Sequence, residues 1–184
     1  MTDLAPSGPR RPRRPSALEL VVLIAVTAGL LAAGVPAFVR TVRTSMLAEV
    51  PHQLARIGRA AAAYYEREHP SADGPQSRCL PPTAGPVPER PSANPVDVDP
   101  QADEAIGAAT WRALGFRFDA PIRFRYGLRV EPSGCGLEGR SLATAYAEGD
   151  LDGDGSLSRF ERVWDGRDGR LIAAGVLHER DRTE

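Results

Sequence analysis

The sequence predicts an α+β fold: one long N-terminal helix, its first half apolar enough to cross a membrane, packed through its second half on a small antiparallel β-sheet. Three patterns carry that prediction. Residues 20–39 form a run of 20 without a single charge. Phe38, Val42, Met46, Val50, Leu54, Ile57, Ala61, Tyr64 and Tyr65 then continue a three/four spacing with no break in register, as one face of an α-helix requires. From Pro121 the period drops to two, with Ile122, Phe124, Tyr126 and Leu128 alternating with Arg123, Arg125 and Arg129, the signature of a half-buried strand.

Residues 1–16 are rich in proline and arginine and are expected to form a disordered basic leader. A helix of 20 residues rises about 1.5 Å per residue and crosses a hydrocarbon core of roughly 30 Å. Arg10, Arg11, Arg13 and Arg14 precede the run, whereas only Arg40 and Arg43 closely follow it. That bias predicts a cytoplasmic N-terminus, a single pass through the inner (cytoplasmic) membrane and a periplasmic or extracellular C-terminal part. A cleaved signal peptide is the competing reading, with Val35-Pro36-Ala37 offering small residues before a cut. The unbroken register favours a retained anchor and one helix over 17–68, apolar all round at first and on one stripe later. Pro36 and Pro51 each remove a backbone hydrogen bond and are expected to kink or locally melt it. Glu19 stands at its entrance, either at the headgroup interface where the macrodipole favours an anion or as an intramembrane group with a partner.

Ser16-Ala17-Leu18-Glu19-Leu20, followed by Leu31-Ala32-Ala33-Gly34-Val35-Pro36-Ala37-Phe38, resembles the N-terminal segment of type IV pilins and type II secretion pseudopilins. Glu19 and Pro36 are 17 residues apart, in the register of that family. The resemblance implies that Glu19 pairs with the N-terminal amine of a neighbouring subunit during assembly, and that Glu19, Pro36 and Phe38 belong to a subunit-assembly surface. The partners implied are the membrane, other pilin-like subunits and a pilus or secretion assembly platform. One departure is visible: the family's leader is cut after a glycine just before the mature start, and Arg14 occupies that position.

Residues 69–100 are proline-rich and read as a long irregular connection into a globular part, 101–184. A short helix is expected over 102–113, and Trp111, Leu114, Phe116 and Phe118 supply core bulk. Residues 142–148 read as a second strand, and 158–164 with 170–177 as a hairpin, giving a four-stranded antiparallel sheet against the amphipathic half of the helix. Cys79 and Cys135 are the only cysteines, and outside the cytoplasm such a pair predicts a disulfide, with two free thiols as the alternative. Closing that loop contributes roughly 3–4 kcal/mol in the chain-entropy model.

Residues 150–161 match the EF-hand loop pattern. Asp150, Asp152 and Asp154 supply hard oxygens, Gly155 permits the sharp turn, Ser156 offers its carbonyl, Ser158 acts through water and Glu161 closes the site. The expected cofactor is a structural Ca2+ in an EF-like loop set between sheet elements; the alternative is a solvated acidic turn. All 23 basic residues are arginine and the net charge is −1, so no concentrated basic face suits a nucleic acid. There is no phosphate-binding glycine loop and no Gly-x-Ser-x-Gly, and His52, His69 and His178 are scattered, so no enzyme is expected. The leading expectation is a pilin or pseudopilin subunit; a monomeric membrane-anchored calcium-binding module and a secreted protein with a cleaved signal are the alternatives.

Overall fold

The computed structural model describes residues 16–71, 74–131, 134–135, 141–151, 153–167 and 170–180. Residues 1–15 of the expected leader lie outside them. Two helices follow: α1, Ala17–Leu47, and α2, Glu49–Glu66. Pro36 sits inside α1, which stays helical through it, so no local melting occurs there. The break comes instead at Ala48, whose N–H bonds the Ser45 carbonyl at 3.3 Å. Pro51 explains it: the ring nitrogen offers no proton to the Leu47 carbonyl and the ring crowds that carbonyl. The chain divides into two compact units after Val42.

In the first unit, Leu18, Leu20, Val21, Leu23, Ile24, Leu30, Leu31 and Phe38 are all exposed. The stretch is long and apolar enough to cross a membrane, and its apolar window has 0% of its residues buried within the chain. Thr27 keeps its hydroxyl satisfied locally, donating to the Leu23 carbonyl at 2.7 Å.

The second unit is built around α2. Val50, Leu54, Ile57 and Ala61, spaced by four, three and four, are fully buried along one face. They meet a five-stranded antiparallel sheet in the order β3-β4-β6-β7-β8: Ala84–Val87, Arg125–Glu131, Ser141–Gly149, Ser158–Arg167 and Arg170–Arg180. The inner face of β6 is Ala143, Ala145 and Ala147, paired across the ladder with Trp164, Arg162 and Phe160. Small residues on β6 leave room for bulk on β7, and the glycine at Gly58 completes the fit on the helix side. A Cβ there would lie 1.9 Å from the Trp164 ring.

The expected four strands are thus present with a fifth. That strand, β3, comes from the proline-rich segment, which is more ordered than the sequence suggests. β3 is an edge strand, where a residue without an N–H is tolerated, and its pairing with β4 shifts between Ala84 and Val87 on either side of Pro86. The same segment contributes β1 (Glu68–Ser71) and β2 (Gly74–Leu80), which with β5 (Gly134–Cys135) make a three-stranded sheet in the order β1-β2-β5. The helix expected over 102–113 is shorter: α3 spans Ala108–Leu114. Gly107, at φ +76°, turns the chain just before it, and a Cβ at Gly107 would strike Ala84 of β3 at 2.7 Å.

Candidate functional site

Two features have the character of sites, the apolar helix and the Asp-rich hairpin. At the start of α1, Ser16 and Glu19 bond each other reciprocally. The Ser16 N–H donates to Glu19 Oε2 at 2.7 Å, and the Glu19 N–H donates to Ser16 Oγ at 3.2 Å. Ser-x-x-Glu with this geometry is a capping box, satisfying donors that a helix N-terminus otherwise leaves open. Glu19 therefore has a partner inside its own chain, which the resemblance did not foresee. The sequence carried the signal, because Ser16 and Glu19 have the spacing of that motif. Pro36 and Phe38 lie farther along the same helix, Phe38 with 69% of its surface exposed.

The Asp-rich segment is the hairpin loop between β6 and β7, so it is set between sheet elements. Gly149 pairs with Ser158 at its base. Asp150 organises the turn, accepting the Gly153 N–H at 2.7 Å and the Gly155 N–H at 3.1 Å, and Asp154 accepts the Ser156 N–H at 2.7 Å. Asp152 lies outside the described residues. Ser158 and Glu161 are not brought to these carboxylates. Ser158 is fully buried and donates to the Gly149 carbonyl at 3.1 Å. Glu161 sits in β7 opposite Tyr146, its carboxylate 2.7 Å from Arg159 Nη2 and 3.7 Å from Arg129 Nη1. Strand pairing that begins at Ser158 carries the last ligand positions onto the sheet, where an EF-hand would turn them back to the ion. Among the described residues no three His, Cys, Asp or Glu side chains gather as a metal site.

Cys79 and Cys135 form the expected disulfide, joining paired positions of β2 and β5. It ties the small sheet together across a sequence separation of 56 residues.

Two polar groups were missed from the sequence, Glu49 on α2 and Asp119 packed against that helix. Glu49 accepts the Tyr126 hydroxyl at 2.8 Å and the Arg123 backbone N–H at 3.2 Å. Burial raises its pKa above the ordinary carboxylate value in spite of those donors, and burial beside Glu49 pushes the Tyr126 hydroxyl up as well. Asp119 accepts from Gln53 at 3.0 Å and pairs with Arg56 at 2.8 Å and with His52 at 3.3 Å. The Gln53 bond is the main reason its pKa is lowered. These contacts hold the 116–119 turn and the start of β4 against α2. Glu49 was legible only as an acid in the first turn of a helix, because Arg123 and Tyr126 lie 74 and 77 residues away in sequence.

On the outer face of the sheet, Glu148 bridges Arg125 at 2.6 Å and Arg159 at 3.3 Å. Arg129 and Arg159 also flank the Tyr146 ring at 5.5 and 5.8 Å. These arginines are spent on carboxylates and an aromatic ring. No family model, curated protein or solved structure matches this chain.

Proposed function

We propose that this chain is a pilin-like or pseudopilin-like structural subunit of a type IV pilus or type II secretion-type filament. It is held in the inner membrane by α1 before assembly, with its N-terminus cytoplasmic and the unit from Arg43 exported. One observation supports this above the others: the apolar window of α1 has none of its residues buried within the chain, while α2, in continuous apolar register, is committed to a domain core. Burying apolar surface is worth roughly 25 cal/mol per Å2. A helix left bare on every side therefore needs lipid or neighbouring helices, and filament assembly exchanges the first for the second. The Glu19 to Pro36 register supports the pilin-like form of this reading.

The test is site-specific crosslinking in membranes of cells making the full chain. A benzophenone amino acid in place of Phe38 is expected to yield adducts with other copies or with pilin-like proteins. A chain that stays in the membrane and forms no such adduct sinks the filament reading.

A monomeric membrane-anchored module is the second reading, and the Ser16–Glu19 capping box favours it, because Glu19 is satisfied without a neighbour. A calcium role for the hairpin, in either reading, rests on Asp150, Asp152, Asp154 and Ser156 without the closing carboxylate. Such a half-set binds weakly, in the range of about 10⁻⁴–10⁻³ M found for extracellular modules. Raising Ca2+ through that range is expected to raise the melting temperature and saturate. An unchanged melting temperature removes calcium from the account.

A further inference from the structure

We propose that the outer face of the five-stranded sheet carries an oxyanion site that takes a phosphoryl group between Arg129, Arg159 and Arg180. The three arginines line one cleft of 370 Å3 together with Glu161, His178 and Glu179. The strand ladder builds it. Arg159 on β7 stands directly opposite Arg180 on β8, and Glu161 stands directly opposite His178. Side chains two apart on a strand share a face, so these four form one block on one face of the sheet. Arg129, on β4, reaches the block from across β6, where the Tyr146 ring lies 5.5 Å from its guanidinium.

Like charges directly opposite on neighbouring strands repel, and the carboxylates at hand serve only one arginine of the pair. Glu161 Oε1 accepts from Arg159 Nε at 2.9 Å and from Arg159 Nη2 at 2.7 Å, and Glu148 stands 3.3 Å from Arg159 Nη1. Arg159 is thereby fixed in place. Arg129 approaches Glu161 only to 3.7 Å, beyond hydrogen-bond length, and contact with the Tyr146 ring uses none of its N–H donors. Arg180 is exposed and has no hydrogen bond or ion pair with a described residue. The cleft thus holds one clamped guanidinium and two with donors to spare. Arginine forks match the oxygens of carboxylates and phosphates. A carboxylate offers two oxygens, enough for one fork, whereas a phosphoryl group presents three and can meet all three arginines. The lining sets three arginines and a histidine against two glutamates, so charge favours an anion there. The site depends on neither reading of the apolar helix.

Equilibrium dialysis of radiolabelled inorganic phosphate against the full chain in a neutral detergent, at constant ionic strength, tests this. The expected result is saturable binding at one site per chain, displaced by unlabelled phosphate and by glycerol phosphate but not by acetate in the same range. Arg180→Gln changes an exposed side chain and should weaken binding about tenfold, as loss of a charge-assisted hydrogen bond implies. Arg170→Gln, at the other end of β8 and outside the cleft, should leave it unchanged. Equal displacement by the two phosphates assigns the site to free phosphate, and stronger displacement by glycerol phosphate assigns it to a phosphoryl group carried on an organic ligand. Binding that does not saturate, displacement by acetate as effective as by phosphate, or an Arg180→Gln variant that binds like the parent each overturns the proposal.

Discussion

Gly58 and Trp164 show how one residue can decide a packing interface. Alanine in place of glycine in a helix interior usually stabilises, by about 1 kcal/mol. Here the added methyl would meet the indole ring at 1.9 Å, and overpacking of that kind costs roughly 1–3 kcal/mol. Gly58→Ala is therefore expected to lower stability in urea unfolding, and a stabilised variant would show that the helix does not sit against Trp164. Glu49 makes a second residue-level case, with a definite sign. Its pKa is raised in the folded state, so its contribution is fully present below the unfolded value near 4.5 and is lost as pH rises through the higher folded value. Glu49→Gln keeps an acceptor for Tyr126 and removes the charge. It is expected to flatten that part of the pH–stability curve, and a curve with the slope of the parent would move the titration elsewhere. Tyr126→Phe removes a donor from a buried carboxylate and should cost about 1–3 kcal/mol.

Among the elements, those governed by local period were legible. The apolar stripe of α2 and the alternation of β4 follow from side-chain spacing alone, although β4 runs over Arg125–Glu131 and Ile122, where the alternation starts, is held only by an isolated bridge to Val96. What escaped depends on distant partners. β3 exists because Ala84 and Val87 bury against the β4 edge, a pairing that no local pattern in a proline-rich segment announces. Glu161 escaped for a related reason: residues 150–156 keep the spacing of a cation loop, but pairing from Gly149–Ser158 onward places Glu161 beside arginines on the sheet. The β1-β2-β5 sheet is short and carries the Cys79–Cys135 crosslink. Removing Cys79–Cys135 is expected to cost roughly 4 kcal/mol for a closed loop of 56 residues. Thermal unfolding of Cys79→Ser/Cys135→Ser tests this, and a melting temperature equal to the parent's would mean the small sheet contributes nothing to the fold.

For the whole molecule, the division after Val42 separates an exposed apolar helix from a packed unit. One unit keeps its apolar side chains outward and the other gathers them around α2 and the five-stranded sheet. The membrane length and composition of the first unit could be read from residues 20–39 directly. Its neighbours could not, because a helix that is apolar all round carries no stripe to say which side meets lipid and which meets protein. The Ser16–Glu19 capping box sharpens the question of assembly, since a neighbour's amine would have to compete with an existing local bond. Crosslinking from Phe38 in membranes of cells producing the full chain decides the matter. A subunit of a pilin-like filament gives adducts with other copies or with pilin-like proteins through α1, and a chain found intact in the membrane with no protein adduct from that position contradicts it.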